Sequence, residues 1–146
     1  MFFLLCGCVA ATTNAADLPL PGADVQWTEP VNFGKAVVPI LKRNCLACHH
    51  EKEAEGGLVL ETIDTILQGG DSGHGVVAKD TAASLLFTRA SGAEEPLMPP
   101  EDNEVGAKPL TPQELGLLKL WIEQGAPGDS VSSSESIDWQ SIPASI

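Results

Sequence analysis

The sequence predicts an all-α domain. Apolar residues recur at helical spacing in four separate segments, and no segment alternates with the period of two that strands require. Helix-start and helix-stop signals bracket those segments. The chain has 146 residues, with 43% apolar and 19% charged side chains, which gives one globular domain with tails. Aromatic residues are only 5% and tyrosine is absent, so the large rings that usually dominate a core are scarce. A net charge of −12 argues against nucleic acid or an anionic membrane surface as a partner, since both require a basic face.

The first predicted helix runs from Asn32 to Asn44, with Phe33, Val37, Ile40 and Leu41 on one side. Pro39 either kinks it or marks a restart with the proline in its first turn. The second runs from Glu61 to Gln68, with Ile63, Ile66 and Leu67 apolar and Gly69-Gly70 as the stop. The third spans Asp80 to Ala90, with Asp80 as cap and Leu85, Leu86 and Phe87 apolar. The last has the clearest signal: Thr111 as N-cap, Pro112 at the first helical position and Glu114 completing a capping box. Leu110 staples onto Leu115; Leu115, Leu118, Trp121 and Ile122 form the buried stripe; Gly125 ends the helix.

Outside the globule, residues 1–16 read as a secretory signal: an apolar run from Phe2 to Ala11, too short to span a bilayer, then a small polar stretch with cleavage after Ala15 or Ala16. No Lys or Arg precedes the run. Leu5-Cys6-Gly7-Cys8 is the second reading, a lipoprotein box that would leave Cys8 lipidated and the chain membrane-anchored. Residues 17–30 form an extended lead-in, 31–127 the domain, and 128–146 a polar, flexible tail. The expected location is the periplasm or another exported compartment.

Signal removal leaves Cys45 and Cys48, too few and too close for a disulfide framework, and lacking the further ligands of a structural zinc site. They belong to Cys45-Leu46-Ala47-Cys48-His49, the C-x-x-C-H signature of covalent c-type haem. The two thiols become thioethers to the porphyrin and His49 reaches the iron. One haem c is therefore expected, serving as the centre of an aromatic-poor core. A redox dithiol would need a βαβ context that the pattern does not show.

The mature chain offers one methionine, Met98, in Glu94-Glu95-Pro96-Leu97-Met98-Pro99-Pro100. Proline after it excludes the α region, so Met98 lies in a stiff extended loop suited to holding a thioether on iron, where methionine opposite histidine raises the potential and closes the iron to substrates. A gap-filling core methionine is the plainer alternative. His50 adjoins the proximal ligand and points away from the iron. His74, flanked by Gly73 and Gly75, is an exposed loop residue or an alternative ligand. Arg89 is placed to pair with a propionate or to end a helix in solvent, and Trp121 to pack in the core beside the haem. Gly70-Asp71-Ser72-Gly73 mimics a serine-protease nucleophile motif, with His49 and Asp64 in the right chain order. The helical pattern and the claim of the haem motif on His49 leave it as a glycine-rich turn.

Phe33-x3-Val37-x-Pro39-Ile40-Leu41-x3-Cys45-x-x-Cys48-His49, then Gly56-Gly57-Leu58-x-Leu60, Gly69-Gly70-x-Ser72-Gly73, Ser84-Leu85-Leu86, Met98-Pro99-Pro100 and Leu110-Thr111 leading to Leu117-Leu118-x-x-Trp121-Ile122-x-x-Gly125-Ala126 resemble the planctomycete-type cytochrome c domain, from Phe33 to Pro127. The resemblance implies a class I-like cytochrome c fold around one covalent haem, with Cys45 and Cys48 as attachment points, His49 proximal and Met98 distal. His74 stands where the family usually has proline, which keeps a bis-histidine site open, and the acidic stretch Glu101 to Glu104 extends the ligand loop.

Three functional readings follow. The first is an exported monohaem carrier that passes single electrons by Fe(II)/Fe(III) cycling and is not an enzyme. The second is a haem enzyme or gas sensor with an open or bis-histidine distal site. The third, compatible with the first, is a docking module whose acidic surface recruits redox partners with an electropositive face.

Overall fold

A computed structural model describes Gly22 and residues 29–128. The signal segment with Cys8, all of the lead-in except Gly22, Glu29 and Pro30, and all of the tail except Gly128 lie outside the described residues. Among the described residues there are four α-helices: α1 (Val38–Asn44), α2 (Ile63–Gln68), α3 (Leu85–Ala90) and α4 (Pro112–Glu123). No strand occurs among them, only isolated bridges between Gly70 and Gly73 and between Val77 and Asp80. The fold is all-α.

Pro39 marks a restart. Phe33–Val37 forms one wide π-helical turn, capped by Asn32, whose side chain accepts from the Lys35 N–H. α1 then begins at Val38 with Pro39 in its first turn, where its missing N–H is no loss. α2 is shorter than the expected Glu61–Gln68: Thr62 is the N-cap, in a reciprocal box with Thr65. It stops at Gly69, where φ is +80° and a Cβ would meet the Gly73 carbonyl oxygen at 2.1 Å. Only glycine fits there.

The expected Asp80 start of the third helix is corrected to Leu85. Asp80 does cap, but a turn: its carboxylate accepts from the Ala83 N–H at 3.0 Å. Ser84, fully buried, ends that turn by donating to the Asp80 carbonyl at 2.7 Å and accepting from the Val77 N–H at 2.9 Å. α4 carries the expected capping box, with Glu114 accepting from the Thr111 N–H at 2.7 Å. It ends in a Schellman motif: the Ala126 N–H reaches the Trp121 carbonyl, the Gly125 N–H reaches that of Ile122, and Gly125 has φ +99°.

The stripe of α4 packs on the π-helical turn and on α3. Trp121 stacks on Phe33 with ring centroids 5.5 Å apart, and its indole N–H donates to the Pro127 carbonyl. Leu118, Trp121, Ile122 and Phe87 are fully buried, each worth about 1.5–3 kcal/mol of transfer free energy. Arg43 at the end of α1 pairs with Glu114 at the start of α4, clamping the two helices. The core includes Leu60, Leu86, Ala90 and Leu110, and these four also line a large cavity. One apolar face therefore serves both.

Candidate functional site

The cavity has a volume of about 540 Å3, inside the range of roughly 300–1,000 Å3 that holds cofactors. Cys45, Cys48 and His49 line one part of it, and Met98, Pro99 and Pro100 another. Arg89 from α3 and the apolar side chains Leu58 and Leu85 complete the inner lining, while Glu55, Asp102, Glu104 and Val105 also border it.

The cysteine pair is set by the end of α1. The chain turns there, with the Cys45 N–H on the Leu41 carbonyl and both the Cys48 and His49 N–H groups returning to the Cys45 carbonyl. This single turn brings both sulfurs and the imidazole to the same cavity. Burial, with Cys48 nearby, pushes the Cys45 thiol up to about 12. Burial also raises Cys48, and Glu55 and Glu53 add to it. Redox dithiols depend on a lowered thiol, so this pair has the opposite character.

His49 is oriented by its own loop. Its Nδ1 lies 3.1 Å from the Glu55 carbonyl, to which it donates, leaving Nε2 as the acceptor atom. Burial lowers its pKa, with the Glu55 backbone bond opposing, so the neutral imidazole that a metal requires prevails near neutral pH. The partner is a carbonyl rather than Asp64, which leaves the protease-like arrangement without its acid.

Met98 sits outside any helix, as the proline behind it requires. Its N–H donates to the Arg89 carbonyl at 3.1 Å, so the end of α3 carries the methionine strap. The Arg89 Nε is buried and has no hydrogen-bond partner among the described residues. A buried donor of that kind beside an apolar cavity is matched by an anionic group such as a propionate. The residues present therefore fit a haem: two thiols, an oriented neutral imidazole, a thioether, an unmatched guanidinium donor and apolar walls.

His74 is exposed, with Nδ1 3.3 Å from the Leu67 carbonyl. It does not line the cavity, although Gly73 and Gly75 do. His50 accepts from the Lys52 N–H and is likewise outside the lining. Trp121 is held in the core by Phe33 and Pro127, apart from the group formed by Cys45, Cys48, His49, Arg89 and Met98. Two contributors were not apparent from residue type: Glu55, which acts through its carbonyl, and Asn103, whose only advance signal is an Asn within a Pro/Gly-containing run.

Residues 45–102 match the family model described as Planctomycete cytochrome C. This segment is a planctomycete-type cytochrome c domain. The match begins at Cys45 and runs past Met98, so the cytochrome segment contains both cysteines, the adjoining histidine and the methionine, while α1 leads into it and α4 packs on its α3 from outside the matched range. Comparison with curated proteins and with solved structures gives no match. A segment of this family points to a haem-binding c-type cytochrome domain over residues 45–102. Cytochrome c domains are typically exported; among the described residues, no helix is long and apolar enough to cross a membrane.

Proposed function

We propose that this cytochrome is an exported carrier of single electrons, holding one haem through Cys45 and Cys48 with His49 and Met98 as the axial pair. When bound, haem supplies an iron that alternates between Fe(II) and Fe(III). The chain does the rest. The Glu55 carbonyl accepts from His49 Nδ1 and fixes the ring, the Arg89 carbonyl holds the Met98 backbone, and the Arg89 side chain would offer its unmatched donor to a propionate. Around a bound haem the apolar walls Leu58, Leu60, Leu85 and Leu86 would limit water and hence reorganisation on electron exchange.

The observation that carries the reading is that one cavity gathers His49 and Met98, the mature chain's sole methionine, while His74 stands outside it. Were His49 and Met98 both to hold the iron, no site would be left for a substrate, which favours a carrier over an enzyme or gas sensor. Glu55, Asp102 and Glu104 border the same cavity, so an electropositive redox partner is the complementary one.

Absorption spectra of the oxidised protein test the ligation. The wild type is expected to show the charge-transfer band of a thioether on ferric iron, and Met98→Ala to lose it and bind carbon monoxide rapidly when reduced. An unchanged spectrum in Met98→Ala, or rapid carbon monoxide binding by the untreated wild type, would overturn the reading.

A further inference from the structure

We infer that Asn103 is a positioning residue: its side chain is the clasp that holds the Met98 strap against the cavity. The inference rests on the His49/Met98 reading and extends it to a residue that touches neither the sulfur nor the porphyrin attachment points.

The strap has two ends. Its leading end is fixed, because the Met98 N–H donates to the Arg89 carbonyl and the Leu97 N–H donates to the Glu95 carboxylate at 3.0 Å. Its trailing end runs into Pro-Pro-Glu-Asp-Asn-Glu-Val-Gly, a segment without helix or strand, whose prolines have no N–H to donate. There the Asn103 side chain supplies the closure. Its Nδ2 donates to the Pro100 carbonyl at 2.6 Å and to the Ala107 carbonyl at 3.0 Å, and its Oδ1 accepts from the Ala107 N–H at 2.8 Å. The Asn103 N–H also donates to the Pro100 carbonyl. One amide therefore ties the residue two positions after the methionine to the far side of the loop. Pro99, Pro100, Asn103, Val105 and Ala107 all line the cavity, so the closed loop forms the wall continuous with Met98.

Thioether–iron bonds are weak, so their occupancy depends on how little freedom the strap gains when the bond opens. Removing the side chain cuts the trailing end loose from Ala107 and leaves it only the Asn103 N–H bond to Pro100, with the leading end still on Arg89 and Glu95. Asn103 is chosen by its chemistry: aspartate retains the acceptor for Ala107 but loses both donors.

The test uses the haem-loaded protein and the Asn103→Ala variant. Haem content by denaturing absorption should equal that of wild type. The thioether charge-transfer band should weaken, and carbon monoxide should bind the reduced variant about tenfold faster or more, the size expected for one or two net hydrogen bonds. Asn103→Asp should shift both readouts in the same direction by less than the alanine variant, because the donors are gone while the acceptor for Ala107 stays. Asn32→Ala, which removes a helix cap from a residue outside the cavity lining, should leave both readouts unchanged. A full-strength band and wild-type carbon monoxide kinetics in Asn103→Ala would overturn the clasp. A wild type lacking the band altogether would instead defeat the Met98 reading beneath it. Should Asn103→Ala fail to accumulate, the same coupling is read in wild type from the other side. Displacing Met98 with cyanide should speed hydrogen exchange at the Ala107 amide by about tenfold, since coupling is reciprocal. Unchanged exchange there would also overturn it.

Discussion

At the residue scale, what a side chain does here depends on which buried groups would be left unmatched without it. Ser84 shows this most simply. It is fully buried and both donates to Asp80 and accepts from Val77, so Ser84→Ala leaves polar backbone groups without partners. Urea unfolding of the haem-loaded variant should show a loss of about 1–3 kcal/mol, and a loss within experimental error of zero would contradict this role. Arg89 combines two tasks in one residue, its carbonyl on the Met98 N–H and its Nε unmatched beside the cavity. Arg89→Lys keeps the charge and the backbone but loses the planar fork. The expected result is a retained thioether band with a shifted reduction potential; a potential equal to wild type would remove Arg89 from the propionate. That Cys45, Cys48, His49 and Met98 belong together was legible in the sequence because their chemistry resides in residue type, and one cavity gathers them. The Glu55 carbonyl and the Asn103 clasp were not, because a backbone acceptor carries no residue signature and a loop closure emerges only when distant backbone atoms meet.

At the element scale, the helices differ in how far local rules determine them. α4 was legible almost to the residue, since the Thr111/Glu114 box, Pro112 and Gly125 are all local devices. Thr111→Ala should cost about 1 kcal/mol, and Gly125→Ala should also destabilise, by roughly 1 kcal/mol, because its φ of +99° admits no Cβ without strain. Thermal melts of the two variants check this, and a stability gain in Gly125→Ala would contradict the Schellman geometry. α3 was legible in type but not in extent. Asp80 looked like a helix cap, yet its carboxylate and the Ser84 hydroxyl build a separate turn first, a tertiary arrangement that overrides the local pattern. The π-helical turn before α1 was also not apparent, because Pro39 is compatible with a kink and with a restart and only packing decides between them.

At the scale of the whole molecule, the core and the cofactor cavity are one apolar volume: Leu60, Leu86, Ala90 and Leu110 belong to both. In the proposed function the porphyrin fills that volume in a chain with few aromatic rings, and the family match over residues 45–102 holds Cys45, Cys48, His49 and Met98 in one cytochrome segment. The charge of −12 and the carboxylates around the cavity add a field that selects what approaches. The reduced protein should therefore exchange electrons faster with a small cationic oxidant than with an anionic one of equal potential. The ratio should collapse as salt shortens the screening length from about 30 Å at 0.01 M to about 3 Å at 1 M. An anionic oxidant reacting as fast at low salt would show that the acidic border is not the point of approach.

The most direct test of the central claim, that Cys45 and Cys48 bind one haem covalently, is the intact mass of the protein under denaturing conditions after expression in a haem-maturing host. The expected mass is that of the chain plus a single haem in the wild type, and of the bare chain when both cysteines are replaced by alanine. A wild type with the mass of the bare polypeptide and two free thiols would contradict it.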